Sequence, residues 1–382
     1  MLIHSETQQP TESPHRIDVA EDFIYNSRNP KYNTASRTWR KQTDSPYLYR
    51  CIVDSREHAY TDGTGFATLE PAAHERKVLH RISEVIGFAL LFFLLVQLGA
   101  GSLIVWVLHR LGMDIRLDFL TFSMSGSQWL VIAVRIFVML LQYGGALLIA
   151  NRYFRVPMRV QMPVTAKAFP EAMGAMGWAM CSAGVFCVLE YIGGDGAESA
   201  QQLFSYKNTT ALTVYGLFHI LILPFLHELL MRGTLLPVLR QFGDGFAVCA
   251  VAGMSALFPN SVPARVGMCL IGLGAGYFLL SGGSFFNCVL MHAIYHALIH
   301  ARLVLAYHDG AFATPLQYVL ILGAVGAAAM ITYCITRRGH LRLENRTTQL
   351  PNRRKIMVLS ESVTMLPWIA FSLLTAVVQL LL

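Results

Sequence analysis

Beyond residue 80 the chain is a succession of apolar segments, each close to the roughly 20 residues that an α-helix needs to cross a bilayer. Nine can be drawn, at about 83–108, 129–150, 171–192, 211–231, 246–259, 264–281, 285–305, 316–335 and 363–382. This spacing predicts an all-α, polytopic transmembrane bundle of about nine spans, with the lipid bilayer as its surroundings. The fifth and sixth segments are short, which suits helices buried inside a bundle. Gly272, Gly274 and Gly276 in the sixth allow close helix contact. Composition agrees: 54% of residues are hydrophobic and 14% charged, against about 25% charged in soluble domains.

The net charge of +7 does not point to nucleic acid. The basic residues flank apolar spans and form no stripe with interleaved aromatics. Arg76, Lys77 and Arg81 precede the first span. Arg152, Arg155, Arg159 and Lys167 follow the second, and a cluster from Arg337 to Lys355 follows the eighth. With nine spans these regions share one side. The positive-inside rule then predicts a cytoplasmic N-terminus and an external C-terminus.

Four regions follow from this pattern. Residues 1–80 are expected to be a polar cytoplasmic tail, partly disordered. Residues 81–335 form the membrane domain, 336–362 a basic cytoplasmic loop, and 363–382 an extra C-terminal helix. The polar start offers no cleavable signal peptide, so the first span is expected to direct insertion. Six of the seven cysteines fall inside apolar segments and none forms a C-x-x-C pair, which argues against disulfides and cysteine metal sites.

Ionisable groups inside a membrane span are costly and are functional candidates by default. The fourth segment carries His227, Glu228 and Arg232, and the seventh carries His292, His296 and His300. Arg232 stands four residues after Glu228, close enough to pair with it on a helix. His227 is about 100° round the helix from Glu228 and need not face the same cavity. His292 and His296 share one helix face, a spacing that suits two imidazoles on one metal ion. Glu228 could complete a His, His, Glu zinc set. The H-E-x-x-H pattern is absent, however, so the reading is no cofactor, with zinc on Glu228, His292 and His296 as the lesser alternative. Arg135 is a candidate partner for Glu190, and His219 for the same cavity as His227. Gly282-Gly283-Ser284 reads as a tight turn between spans.

The order of these groups resembles the CAAX protease and bacteriocin-processing (CPBP, or Abi) family of intramembrane endopeptidases. That family has a core of about eight transmembrane helices. Its motifs read Glu-Glu-x-x-x-Arg, Phe-x-x-x-His and His-x-x-x-Asn or Asp. The corresponding residues here are His227-Glu228-x-x-x-Arg232, Phe258-x-x-x-Val262 and His292-x-x-x-His296. The resemblance covers about residues 83–335 and is most specific between 224 and 300. It implies hydrolysis of a peptide or membrane-protein substrate by an activated water. Glu228 or His227 would be the base, His292 and His296 would hold the water or the oxyanion, and Arg232 would orient Glu228. The chain departs from the family where His227 replaces the first glutamate, Val262 the second-motif histidine, and His296 the final amide or acid. Asn260 is a nearby substitute donor. These departures keep a second expectation open: a non-catalytic pseudoprotease that binds or regulates membrane partners. A bacterial plasma membrane is the expected location on the family resemblance.

Overall fold

The computed structural model describes residues 71–117, 124–164, 169–193, 209–259, 261–308, 315–337 and 349–381, with short pieces between residues 16 and 54. It is an all-α bundle with two small two-stranded ribbons. Most of the expected tail 1–80, up to residue 70, and residues 338–348 of the expected loop 336–362 lie outside the described residues, while 71–80 and 352–360 are helical. The ribbon in the N-terminal region pairs β1 (Arg16–Asp18) antiparallel with β2 (Ile52–Asp54).

A helix occupies every one of the nine apolar segments. The first is α1 (Pro71–Leu95), which runs through a π-helical stretch at Val96–Ala100 into α2 (Gly101–Arg110). A second ribbon, β3 (Ile115–Leu117) with β4 (Met124–Gly126), leads into α3 (Gln128–Phe154). Arg155, at φ 50°, closes that helix in a left-handed conformation. After the short α4 (Met158–Gln161) comes α5 (Phe169–Gly193). The fourth segment holds α6 (Thr209–Leu217), a π stretch at Phe218–Ile222, α7 (Leu223–Glu228), a second π stretch at Leu229–Leu235, and α8 (Leu236–Leu239). Gly243, at φ 116°, turns the chain into α9 (Asp244–Ala256). Ser261 then caps α10 (Val262–Leu280), its hydroxyl accepting from the Ala264 N–H. Gly282, at φ 119°, makes the expected turn into α11 (Phe285–His308). The chain continues through α12 (Pro315–Thr336), α13 (Asn352–Ser360) and α14 (Met365–Leu381).

Among the described residues, six helical stretches are long and apolar enough to cross a membrane. A seventh is reached if Asn352–Ser360 and Met365–Val377, bent by 86°, count as one span. Of the two short helices expected, α9 is short, whereas α10 is long enough to cross. Helix α11 has the length of a span, but Asn287, His292, His296, His300 and Arg302 lower its hydropathy. Its polar residues lie between other helices.

Helix α5 is the centre of the bundle and packs against α10, α11 and α12, while α1 packs against α3, α13 and α14. The glycine stripe of α10 works as expected. A Cβ at Gly272 would lie 2.8 Å from the Ala252 backbone, one at Gly276 3.0 Å from Val248, and one at Gly274 2.4 Å from Trp178. Gly272 and Gly276 thus seat α9, and Gly274 seats α5. Ion pairs join other helices: Glu190 of α5 meets Arg302 of α11 in a buried pair, and the buried Glu171 of α5 meets the partly exposed Arg337 after α12. The partner found for Glu190 is therefore Arg302 and not the expected Arg135. It arrives from the helix that α5 packs against. The outer surface carries large apolar side chains such as Leu148, Leu320 and Ile331, the face that lipid would cover.

Candidate active site

The fourth and seventh segments meet. His292 Nδ1 lies 2.8 Å from Glu228 Oε1, across 64 residues of chain. Both side chains are buried, as are His227 and Arg232. Arg232 pairs with the same carboxylate, its Nε 3.2 Å from Oε2 and an Nη 3.3 Å from Oε1. Arg232 follows Glu228 by four residues across the π stretch, so the helix itself presents the cation to the acid. In a membrane interior an ionised carboxylate needs such partners.

The hydrogen bonds of Ser255 fix the His227 tautomer by elimination. The Ser255 hydroxyl donates to the Val251 carbonyl at 3.0 Å. Its oxygen must then accept from both Arg232 and His227 Nε2, each at 3.3 Å. His227 therefore carries its proton on Nε2 and keeps a lone pair on Nδ1. That lone pair accepts from the Tyr143 hydroxyl at 3.2 Å. His292 Nδ1 faces the Glu228 carboxylate, and a neutral His292 donating there has its Nε2 as an acceptor. His296 Nε2 lies 3.1 Å from that atom and donates to it. The two rings stack with centroids 4.9 Å apart and planes 23° apart.

These groups face a cavity of about 380 Å³. His227, His292, His296, Tyr143, Gln97 and Gln142 supply its polar wall, and Phe93, Met139, Phe186 and Phe258 are among its apolar lining. Glu228 and Arg232 do not line it. Glu228 stands behind His292 and Arg232 behind Glu228, so the acid faces the cavity only through an imidazole. His227, expected to point elsewhere as readily as inward, is a wall residue. Its ring meets Phe258 edge-on at 5.4 Å and His292 edge-on at 4.9 Å.

Other expected residues are placed differently. Val262 is partly exposed and is not among the residues that line the cavity. Asn260 lies outside the described residues. His219 does not line the cavity; its ring packs on Tyr215 at 4.1 Å and faces His300 at 6.0 Å. Tyr143 and Ser255 were missed from the sequence. A tyrosine and a serine in apolar helices carry no spacing signal, and only their hydrogen bonds to His227 single them out.

His227, Glu228 and His292 also present metal-ligand atoms within 4.8 Å of one another. This set differs from the expected Glu228, His292 and His296. Arg232 already occupies the carboxylate of either set. The six described cysteines are free and belong to neither.

No curated protein and no solved structure is significantly similar to this chain. A family model described as type II CAAX prenyl endopeptidase Rce1-like matches residues 209–298. That stretch runs from α6 through most of α11 and includes His227, Glu228, Arg232, His292 and His296. The match agrees with the CAAX protease family that the motifs resemble, and marks this chain as similar to that family over the segment that builds the polar wall.

Proposed function

We propose that this chain is an intramembrane peptidase-like protein that cleaves a peptide or membrane-protein substrate with an activated water. The observation that carries the reading is the convergence of His227, His292 and His296 on one cavity, with the Glu228–Arg232 pair fixed behind them. His227 Nδ1 has a lone pair on the cavity wall and stands where the family has its first glutamate. A neutral imidazole suits general-base work near pH 7. Water entering beside His227 displaces the Tyr143 hydroxyl and loses its proton to Nδ1 as its oxygen attacks the scissile carbonyl carbon. The freed Tyr143 hydroxyl is a donor for the oxyanion, and the His296 Nε2–H becomes a second once it swings from His292 Nε2 to the oxyanion. Collapse breaks the C–N bond, and the His227 imidazolium returns its proton to the leaving amine. Glu228 and Arg232 touch none of the reacting atoms. They are positioning residues that hold His292, and through it His296, in one orientation.

Val262 favours a second reading. At the second-motif position it can neither donate nor accept a hydrogen bond. On that observation the same cavity would bind a partner without hydrolysing it. The two readings separate in one experiment. Purified protein is incubated with membrane-anchored peptide substrates, and His227→Gln is compared with wild type. A fall in cleavage of about 10²–10⁴-fold, the usual worth of a general base, supports catalysis. Equal cleavage by both would remove His227 from the mechanism. Photo-crosslinked peptide without any cleavage would favour the binding protein.

We also propose a bacterial plasma membrane location, with the N-terminus in the cytoplasm and the C-terminus outside. The support is the family resemblance and the loop distribution of arginine and lysine. Cysteine accessibility at each terminus in intact cells tests the orientation.

A further inference from the structure

Resting on the peptide-cleaving reading, we infer that Gln97 and Gln142 are its substrate-binding residues, whose carboxamides hold the backbone of an extended peptide beside the imidazoles. Helix α3 turns one face to the cavity, with Met139, Gln142 and Tyr143 at i, i+3 and i+4. Gln142 therefore stands next to the tyrosine whose hydroxyl bonds His227 at 3.2 Å. Gln97 lines the same cavity from the π-helical stretch Val96–Ala100, which packs against α3. Two further π stretches flank His227 and Glu228, and such stretches recur at functional sites. Both glutamines lie outside residues 209–298, the segment that carries the imidazoles.

Gln142 is only 6% exposed, yet its side chain bonds to no described residue, and neither its nitrogen nor its oxygen is sealed inside the protein. Its amide thus opens onto the cavity. Other buried glutamines are satisfied within the bundle. Gln161 donates to Asn151 and to the Val156 carbonyl, and Gln241 to the carbonyls of Tyr47 and Val238. The partly buried Gln97 also bonds to no described residue. A carboxamide kept from water without a partner costs free energy, which hydrogen bonds to a ligand recover. Each carboxamide offers two N–H donors and one carbonyl acceptor, and no charge. One residue of an extended peptide offers the complement, a C=O and an N–H. In a helical segment those groups are already bonded to each other. Phe93, Met139, Phe186 and Phe258 in the same lining are apolar and accept side chains, not backbone.

The test uses the full-length protein in detergent and a lipid-anchored, dye-labelled peptide. The peptide is made in a cleavable form and in one whose scissile amide is replaced by a CH2–NH link. Gln142→Met keeps the length of the side chain and removes its donors and its acceptor. The variant should raise Kd for the uncleavable peptide, and KM for the cleavable one, about tenfold. The loss should fall on KM rather than kcat. Its melting temperature should equal or exceed that of wild type, because no bond within the protein is lost. Gln97→Met should act in the same direction. An ester in place of one peptide amide removes a single N–H. At the position held by Gln142 it should weaken binding to wild type and leave binding to Gln142→Met nearly unchanged. Unchanged Kd in both variants would overturn the inference, and so would an ester penalty equal in wild type and variant at every position. A fall in kcat at constant KM, or a lower melting temperature at constant Kd, would also overturn it. Wild type that binds both peptides without cleavage, and Gln142→Met that binds them about tenfold more weakly, would remove the peptidase reading and keep the amide contacts. Cleavage by wild type that both glutamine variants match would do the reverse. Wild type that binds neither peptide would sink both.

Discussion

Glu228 is out of reach of anything in the cavity, so its influence there passes through His292. Removing its charge has two effects that can be measured apart. In Glu228→Gln the buried Arg232 guanidinium loses its counter-charge. Breaking one side of a buried ion pair costs about 3–5 kcal/mol, so thermal unfolding in detergent should shift markedly downward. A Glu228→Gln/Arg232→Gln double variant should lose less than the two single losses added together, because the two groups share one interaction. If the losses simply add, the pair is not a unit. Glu228 and Arg232 were legible in the sequence because i, i+4 spacing puts them on one helix face. The inward turn of His227 was not. Its neighbour Glu228 faces His292 while His227 itself bonds Tyr143 of α3 and Ser255 of α9, and helical spacing within one segment says nothing of partners so distant in sequence.

At the level of elements, the apolar segments translate directly into helices, because a backbone in hydrocarbon must satisfy its own hydrogen bonds. What the segments do not give is which helices are shielded from lipid. Helix α11 is long but polar along one face, and this face is turned toward α5 and α7. The fourth segment was expected as one span, and the helical run Thr213–Phe242 is long and apolar enough to be one. It contains two π-helical stretches, on either side of His227 and Glu228. Such stretches are rare and recur at functional sites. The glycines of α10 were legible as a contact stripe, and their effect can be tested. At Gly272 a methyl group would press on the Ala252 backbone, which cannot move aside as a side chain would. Gly272→Ala should destabilise the protein by about 1–3 kcal/mol. Gly253→Ala in the facing helix α9, where a Cβ meets nothing within 4 Å, should be neutral in the same melting assay.

On the scale of the whole molecule, the C-terminal helix looked like an appendage in the sequence, yet it supports the cavity. Trp368 of α14 is buried and packs edge-on against Phe258 at 6.0 Å, and Phe258 lines the cavity. Trp368→Ala should therefore cost about 3–5 kcal/mol, as for other buried aromatic deletions. It should also weaken binding of a crosslinkable peptide, while Trp106→Ala on the exposed surface of α2 changes neither. The cavity has a divided origin. Its imidazoles come from the segment matched by the family model, whereas Phe93, Met139, Tyr143 and Phe186 come from α1, α3 and α5 upstream of it. Phe258 and Met268 of the apolar lining share the matched segment with the imidazoles, so only part of the cavity's contour is encoded apart from them. A graft of residues 209–298 into another scaffold would carry the imidazoles and Phe258 across and strand them without Tyr143, the hydroxyl that His227 leans on.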